Sequence, residues 1–235
     1  MVVFLPGFMQ RGESWGAIAR NLGRRYPSFL LDFSSFTYEE RLAEVEQAAP
    51  GGSVLVGYSM GGRLGLHAAL RHPDRYGGLV TVGVSAGIED PAARATRRLA
   101  DDRLADWMER SSIEEIVARW EQLPVFAGQP HELVDAQRTG RLAHEPADLA
   151  RLLRSAGQGV LDPVWGELPE LRVPVLILAG ELDTVYADAA LRMAEVMPRA
   201  TAHLVPGAGH AAHLESPGGL SAALLPFLDQ HLGQG

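Results

Sequence analysis

Cysteine is absent from the 235 residues. That excludes disulfides, thiolate metal sites and a cysteine nucleophile, and it fits a cytoplasmic protein. Lysine is absent as well, so all 21 basic residues are arginine. A Walker-type phosphate lysine and a Schiff-base lysine are therefore impossible. No apolar run approaches the roughly 18 residues of a membrane span. The opening Met1-Val2-Val3-Phe4-Leu5-Pro6-Gly7 has no basic segment and no small-residue cleavage site, so no signal peptide is visible. Positive charge is in deficit, with 29 acidic against 21 basic residues and a net charge of −8, which argues against nonspecific nucleic-acid binding. No metal-ligand cluster or nucleotide motif is present, so no metal and no cofactor are expected. What remains is 46% hydrophobic and 21% charged, a globular composition of a length suited to one α/β domain with room for an insertion.

Strand and helix patterns alternate along the chain. Met1 to Leu5 reads as a strand, followed by the loop Pro6-Gly7-Phe8-Met9-Gln10. Ser14 is placed to cap a helix from Trp15 toward Leu22. Ser28 to Phe33 is a second strand and Tyr38 to Ala48 a second helix. Gly78 to Val84 is a β-branched run of the doubly buried kind found in parallel sheets. From Ala86 to Gly159 the rhythm breaks into amphipathic helical stretches that contain Trp107 and Trp120. It resumes at Val173 to Gly180, a helix through Ala187 to Met197, a strand at Ala202 to Val205 and a last helix from Pro217 to Leu232. The alternation predicts a mainly parallel sheet with helices on both faces, with a core of residues 1–85 and 160–235. Residues 86–159 are expected to form a helical cap above the carboxyl ends of the strands, where such sheets bind ligands.

The most informative stretch is Val54-Leu55-Val56-Gly57-Tyr58-Ser59-Met60-Gly61-Gly62-Arg63. It reads as an apolar strand, a Gly-x-Ser-x-Gly turn and the start of a helix. A glycine-rich connection with an incidental serine can show the same five residues. The strand before and the helix after favour a nucleophile elbow, in which Ser59 sits on a strained turn above the sheet edge. In folds with such a turn the acid and then the histidine follow in chain order. Asp183, in Gly180-Glu181-Leu182-Asp183, and His210, in Pro206-Gly207-Ala208-Gly209-His210, each follow a late strand. Glu181 and His213 are the competing acid and base. A catalytic set of Ser59, His210 and Asp183 would let His210 take the serine proton while Asp183 fixes the imidazole tautomer. The oxyanion hole is expected from the amides of Met60 and Phe8, because Pro6 has no N–H to donate.

Together these residues resemble the α/β-hydrolases over nearly the whole length. More narrowly, the chain resembles the family of MenH, the 2-succinyl-6-hydroxy-2,4-cyclohexadiene-1-carboxylate synthases of menaquinone biosynthesis. The resemblance rests on Gly57 to Arg63, on Ser85-Ala86-Gly87-Ile88 with Arg94, Arg97 and Asp101 after it, and on Trp120-Glu121-Gln122-Leu123-Pro124-Val125-Phe126. It also rests on Gly180 to Asp183 and on Gly209-His210-Ala211-Ala212-His213-Leu214-Glu215. It implies an elimination in which Ser59, backed by His210 and Asp183, removes a ring proton as pyruvate leaves a polycarboxylate cyclohexene. It also implies that Tyr58, Arg63, Arg97, Trp120 and Arg138 line the substrate pocket. Arginine suits carboxylates because its guanidinium binds them in a bidentate fork. Two features depart from the family: Pro6-Gly7 stands where His-Gly is usual, and the sequence opens at the first strand without a preceding hairpin.

Three readings follow: a MenH-like lyase, a small-molecule carboxylic-ester hydrolase with the same triad, and a non-enzymatic ligand receptor. The partner in the first is a small carboxylate-bearing substrate. A complete Ser-His-Asp set argues against the third. The first two separate on whether the arginines converge on Ser59.

Overall fold

The computed structural model describes residues 1–232. Its sheet has six parallel strands in the order β2-β1-β3-β4-β5-β6. In chain order these are β1 Val2–Leu5, β2 Ser28–Leu30, β3 Val54–Tyr58, β4 Gly78–Val82, β5 Val175–Gly180 and β6 Ala200–Val205. The four central strands are buried on both faces, which is why they read as continuous apolar runs.

Alternate residues of those runs feed two separate cores. Val2, Phe4, Val54, Val56, Val80, Val82, Leu176 and Leu178 pack on one face under α1 (Gly16–Leu22) and the final long helix (Pro217–His231). Val3, Leu5, Leu55, Leu79, Val175 and Ile177 pack on the other. There they meet α2 (Tyr38–Ala48), α3 (Met60–Arg71) and a helix over Thr184–Val196. Between β4 and β5 come four helices: α4 Pro91–Met108, α5 Ile113–Glu121, α6 His131–Leu142 and α7 Pro146–Ala156. We number the helix Thr184–Val196 α8, the short helix Ala212–Glu215 α9 and the last one α10. Among α4 to α7, α4 packs on α7 and α5 on α6.

Several local expectations differ from the fold: β4 stops at Val82 rather than Val84, β5 starts at Val175 rather than Val173, and β6 starts at Ala200 rather than Ala202. Ser14 caps nothing: it lies inside a 3-10 turn, Gly12–Trp15, and its Oγ is buried without a partner. The second strand stops at Leu30 rather than Phe33. Leu31 N–H still donates to Phe4 O at 3.0 Å, but the Asp32 carboxylate then accepts from Gly12 N–H at 2.5 Å and turns the chain away. None of the described helices is long and apolar enough to cross a membrane.

Candidate active site

The β3–α3 turn has the strain its sequence predicts. Ser59 adopts φ 49° and ψ −112°, a region that L side chains rarely occupy. Its backbone is fixed on both sides, with its N–H donating to Val82 O at 2.9 Å and its C=O accepting from Arg63 N–H at 3.0 Å. A Cβ at Gly61 would lie 2.3 Å from Leu5 O, so only glycine lets the turn pass this close to β1. That approach brings the loop after β1 beside the start of α3.

Asp183 sits at the N-cap of α8, yet its side chain makes no cap bond. Its carboxylate instead accepts from His210 Nδ1–H at 2.6 Å. A carboxylate has no proton to offer, so this contact fixes Nε2 as the unprotonated nitrogen. Ser59 O–H then donates to His210 Nε2 at 3.4 Å, a long bond of the kind that tightens when a ligand is bound. His210 and Asp183 side chains are only 7% and 9% exposed, so water competes weakly for these bonds. Glu181, the competing acid, is used elsewhere: it accepts from Gly207 N–H at 3.0 Å. His213, the competing base, is fully buried and stacked between Trp15 and Tyr58, each centroid 4.4 Å away. Burial and the neighbouring His210 push its pKa down to about 3. A hydrogen-bonded Ser–His–Asp chain of this kind can carry a proton off the serine and hold the resulting imidazolium.

Ser59 and His210 open into a cavity of about 1060 Å³ between the sheet edge and helices α4 to α7. Phe8 and Met60 are on its wall, and Met60, first in α3, has no intrahelical acceptor for its amide. Tyr58 is also on the wall, and burial raises its phenol well above the ordinary value. Trp120 is on the wall as well, with its ring 5.1 Å from that of Phe8 and 5.9 Å from that of Phe126.

The arginines divide. Arg63 lines the cavity and is buried; one guanidinium N–H donates to Ala156 O at 2.9 Å, and burial lowers its pKa to about 10. Arg97 also lines it, donating from Nε to Asp101 at 2.8 Å and from Nη1 to Gln158 Oε1 at 3.0 Å. Arg138 does not reach the wall. It is turned outward on α6, paired with Glu121 at 2.5 Å and Asp135 at 2.9 Å. Arg141, one turn on, takes the place expected of it: its side chain is 3% exposed, lines the cavity, and holds Glu121 at 3.1 Å.

The burial along α6 accounts for the difference. Leu133, Val134, Gln137 and Gly140 mark the covered face of α6, and Arg141 falls on that face at helical spacing while Arg138 does not. Gln158 and Tyr186 are further cavity residues that no motif singled out. Arg94 pairs with Asp162 at 2.5 Å, away from the wall. Among the described residues no group of His, Asp and Glu is disposed to hold a metal ion.

A Bacillus subtilis (strain 168) protein is 35% identical over 166 residues, which cover 69% of this chain and 61% of that relative. One from Salmonella paratyphi B is 34% identical over 174 residues, covering 74% of this chain and 67% of the relative. Both are named for 2-succinyl-6-hydroxy-2,4-cyclohexadiene-1-carboxylate synthase. A solved structure of MenH from S. aureus superposes with a TM-score of 0.90 at 28% identity, covering 98% of this chain and 94% of that one. The sequence pattern of the alpha/beta hydrolase family matches residues 2–223, and the chain belongs to that family.

Proposed function

We propose that the chain is a MenH-like lyase of menaquinone biosynthesis, eliminating pyruvate from a polycarboxylate cyclohexene. The observation that carries this reading is the convergence of Arg63, Arg97 and Arg141 on the cavity that holds Ser59 and His210. An esterase for neutral substrates has no use for three desolvated or half-desolvated guanidinium groups. A substrate bearing several carboxylates does.

In this reading Ser59 Oγ gives its proton to His210 Nε2 and takes the ring proton of the substrate. The C–H electron pair becomes a new ring double bond, and the bond from the ring to the enolpyruvyl oxygen breaks. Pyruvate leaves as its enolate and is protonated at carbon, and the proton held on His210 is given up to it, directly or through water, which restores the resting triad. Asp183 stabilises the imidazolium formed on the way. The amides of Phe8 and Met60 face the oxygen on which negative charge develops. Tyr58 and Trp120 shape the pocket. The substrate is a small carboxylate-bearing molecule, and the setting is the cytoplasm.

The test is turnover of two substrates. Pyruvate release from the succinyl-enolpyruvyl-hydroxycyclohexene carboxylate should be fast. It should fall by about a thousandfold or more in Ser59→Ala. Turnover of a short-chain p-nitrophenyl ester without pyruvate release would overturn the reading in favour of a hydrolase.

A further inference from the structure

Gln158 lies in Gly157-Gln158-Gly159, just beyond α7. The segment is pressed onto α4 so closely that a Cβ at Gly159 would stand 2.2 Å from Arg98 N. The backbone is thereby held and the Gln158 side chain is directed to the cavity, which it lines. There it touches two groups. Arg97 Nη1 donates to its Oε1 at 3.0 Å, and its Nε2 donates to the Tyr186 hydroxyl oxygen at 2.5 Å.

The direction of both bonds is forced. A guanidinium carries donors only, so the amide of Gln158 must turn its oxygen toward Arg97. Its NH₂ must then face Tyr186, whose oxygen must accept. The phenolic proton of Tyr186 is left pointing away from Gln158, and among the described residues no protein acceptor takes it. Tyr186 is itself on the cavity wall, with its ring 4.6 Å from that of His210. A hydroxyl that accepts a strong bond is polarised into a better donor. Arg97 is ordered by the same contact: Nε is held by Asp101, one Nη1 proton by Gln158, and Nη2 remains uncommitted.

We propose that Tyr186, oriented by Gln158, is a specificity-determining donor that hydrogen-bonds a carboxylate oxygen of the ligand bound above Ser59. Gln158 is the positioning residue that points both Tyr186 and Arg97 at the same anion. The inference rests on the polycarboxylate substrate proposed above and adds two residues to its recognition.

The experiment is steady-state pyruvate release by wild type, Tyr186→Phe, Gln158→Glu and the double variant, with calorimetric binding of the synthase product to wild type. Tyr186→Phe keeps the ring against His210 and removes only the hydroxyl. KM should rise about tenfold, the worth of one hydrogen bond to a charged group, with the loss in KM exceeding that in kcat. Gln158→Glu still bonds to both neighbours, because the introduced carboxylate accepts from Arg97 and from the phenol. It therefore turns the phenolic proton away from the ligand. In that background Tyr186→Phe should add less than about twofold, a coupling that a purely structural contact would not produce.

Tyr186→Phe within about twofold of the wild-type KM, or two substitutions whose effects simply multiply, would overturn the relay while wild-type pyruvate release keeps the lyase reading intact. A wild-type protein that neither releases pyruvate nor binds the product overturns the lyase reading, and the relay's ligand with it.

Discussion

Ser59 carries strain because a relaxed backbone would not lift its Oγ to His210. Residues held in such regions cost of order 1–3 kcal/mol and persist where the surroundings over-determine them. Here the bonds to Val82 and Arg63 and the close pass at Gly61 do so. Glycine tolerates φ 49° far better than alanine does. Ser59→Gly should therefore be about 1 kcal/mol more stable than Ser59→Ala, measured by denaturant unfolding, although both lack the hydroxyl. Equal stability would mean that the turn relaxes once the hydroxyl is gone. A second residue-scale contrast separates Arg138 from Arg141. Arg138→Met should change the KM for pyruvate release by less than about twofold, because that side chain pairs with Glu121 and Asp135 away from the cavity. Arg141→Met should raise it by at least about tenfold. Glu121 keeps Arg138 as a partner in that variant, so the loss is one of recognition and not of an orphaned buried carboxylate. Comparable KM effects at both positions would refute the division. The Ser59, Asp183 and His210 positions were legible because Ser59 directly follows β3 and the other two lie on the loops after β5 and β6, in the chain order the motif requires. Arg138 was placed in the pocket by resemblance alone: it lies about 60° round α6 from Arg141, at the rim of the covered face, where Glu121 and Asp135 hold it outside the cavity.

At the scale of elements, the sheet could be read because its strands are buried on both faces and so are apolar without interruption. The readings failed at edges. β2 is an edge strand, and a polar bond from Asp32 ends it early. β5 begins at Val175, after Pro174, which has no N–H to give a ladder. The helices between β4 and β5 gave existence but not register, since their polar and apolar faces meet a cavity as well as a core. One of their termini is written plainly in the sequence. Ser112 Oγ accepts from Glu115 N–H at 3.2 Å, and Glu115 accepts in return from Ser112 N–H at 2.8 Å, a reciprocal cap at the start of α5. Ser112→Ala should cost about 1 kcal/mol of stability. Because α5 carries Trp120 on the cavity wall, fraying of that helix should also raise the KM for pyruvate release. An unchanged unfolding midpoint in thermal melts would show that α5 is held by packing alone.

For the whole molecule, acid response follows from histidines that the fold keeps neutral. His213 is fully buried between Trp15 and Tyr58, and its pKa is lowered from 6.5 to about 3 by burial and by His210. His67 and His144 are each lowered to about 4, first by burial and then by neighbouring arginines, Arg63 and Arg71 for the one and Arg41 and Arg11 for the other. A histidine depressed in the folded state binds its proton more readily when the chain unfolds. Such a group leaves stability untouched above pH 6.5 and withdraws it as pH falls from 6.5 toward the folded value. For His213 the loss at pH 5 amounts to about 2 kcal/mol relative to neutral pH. His213→Phe keeps an aromatic ring in the same slot and removes the titration. Its unfolding free energy should therefore fall less than that of the wild type between pH 7.5 and pH 5, by roughly that 2 kcal/mol. The comparison is made by urea unfolding at the two pH values with each protein as its own reference, so a uniform packing penalty from the larger ring cancels. Parallel pH profiles would mean that His213 is already protonated in the folded protein at pH 5, and a charge in that aromatic slot, 4.4 Å from both ring centroids, would contradict the burial that defines it.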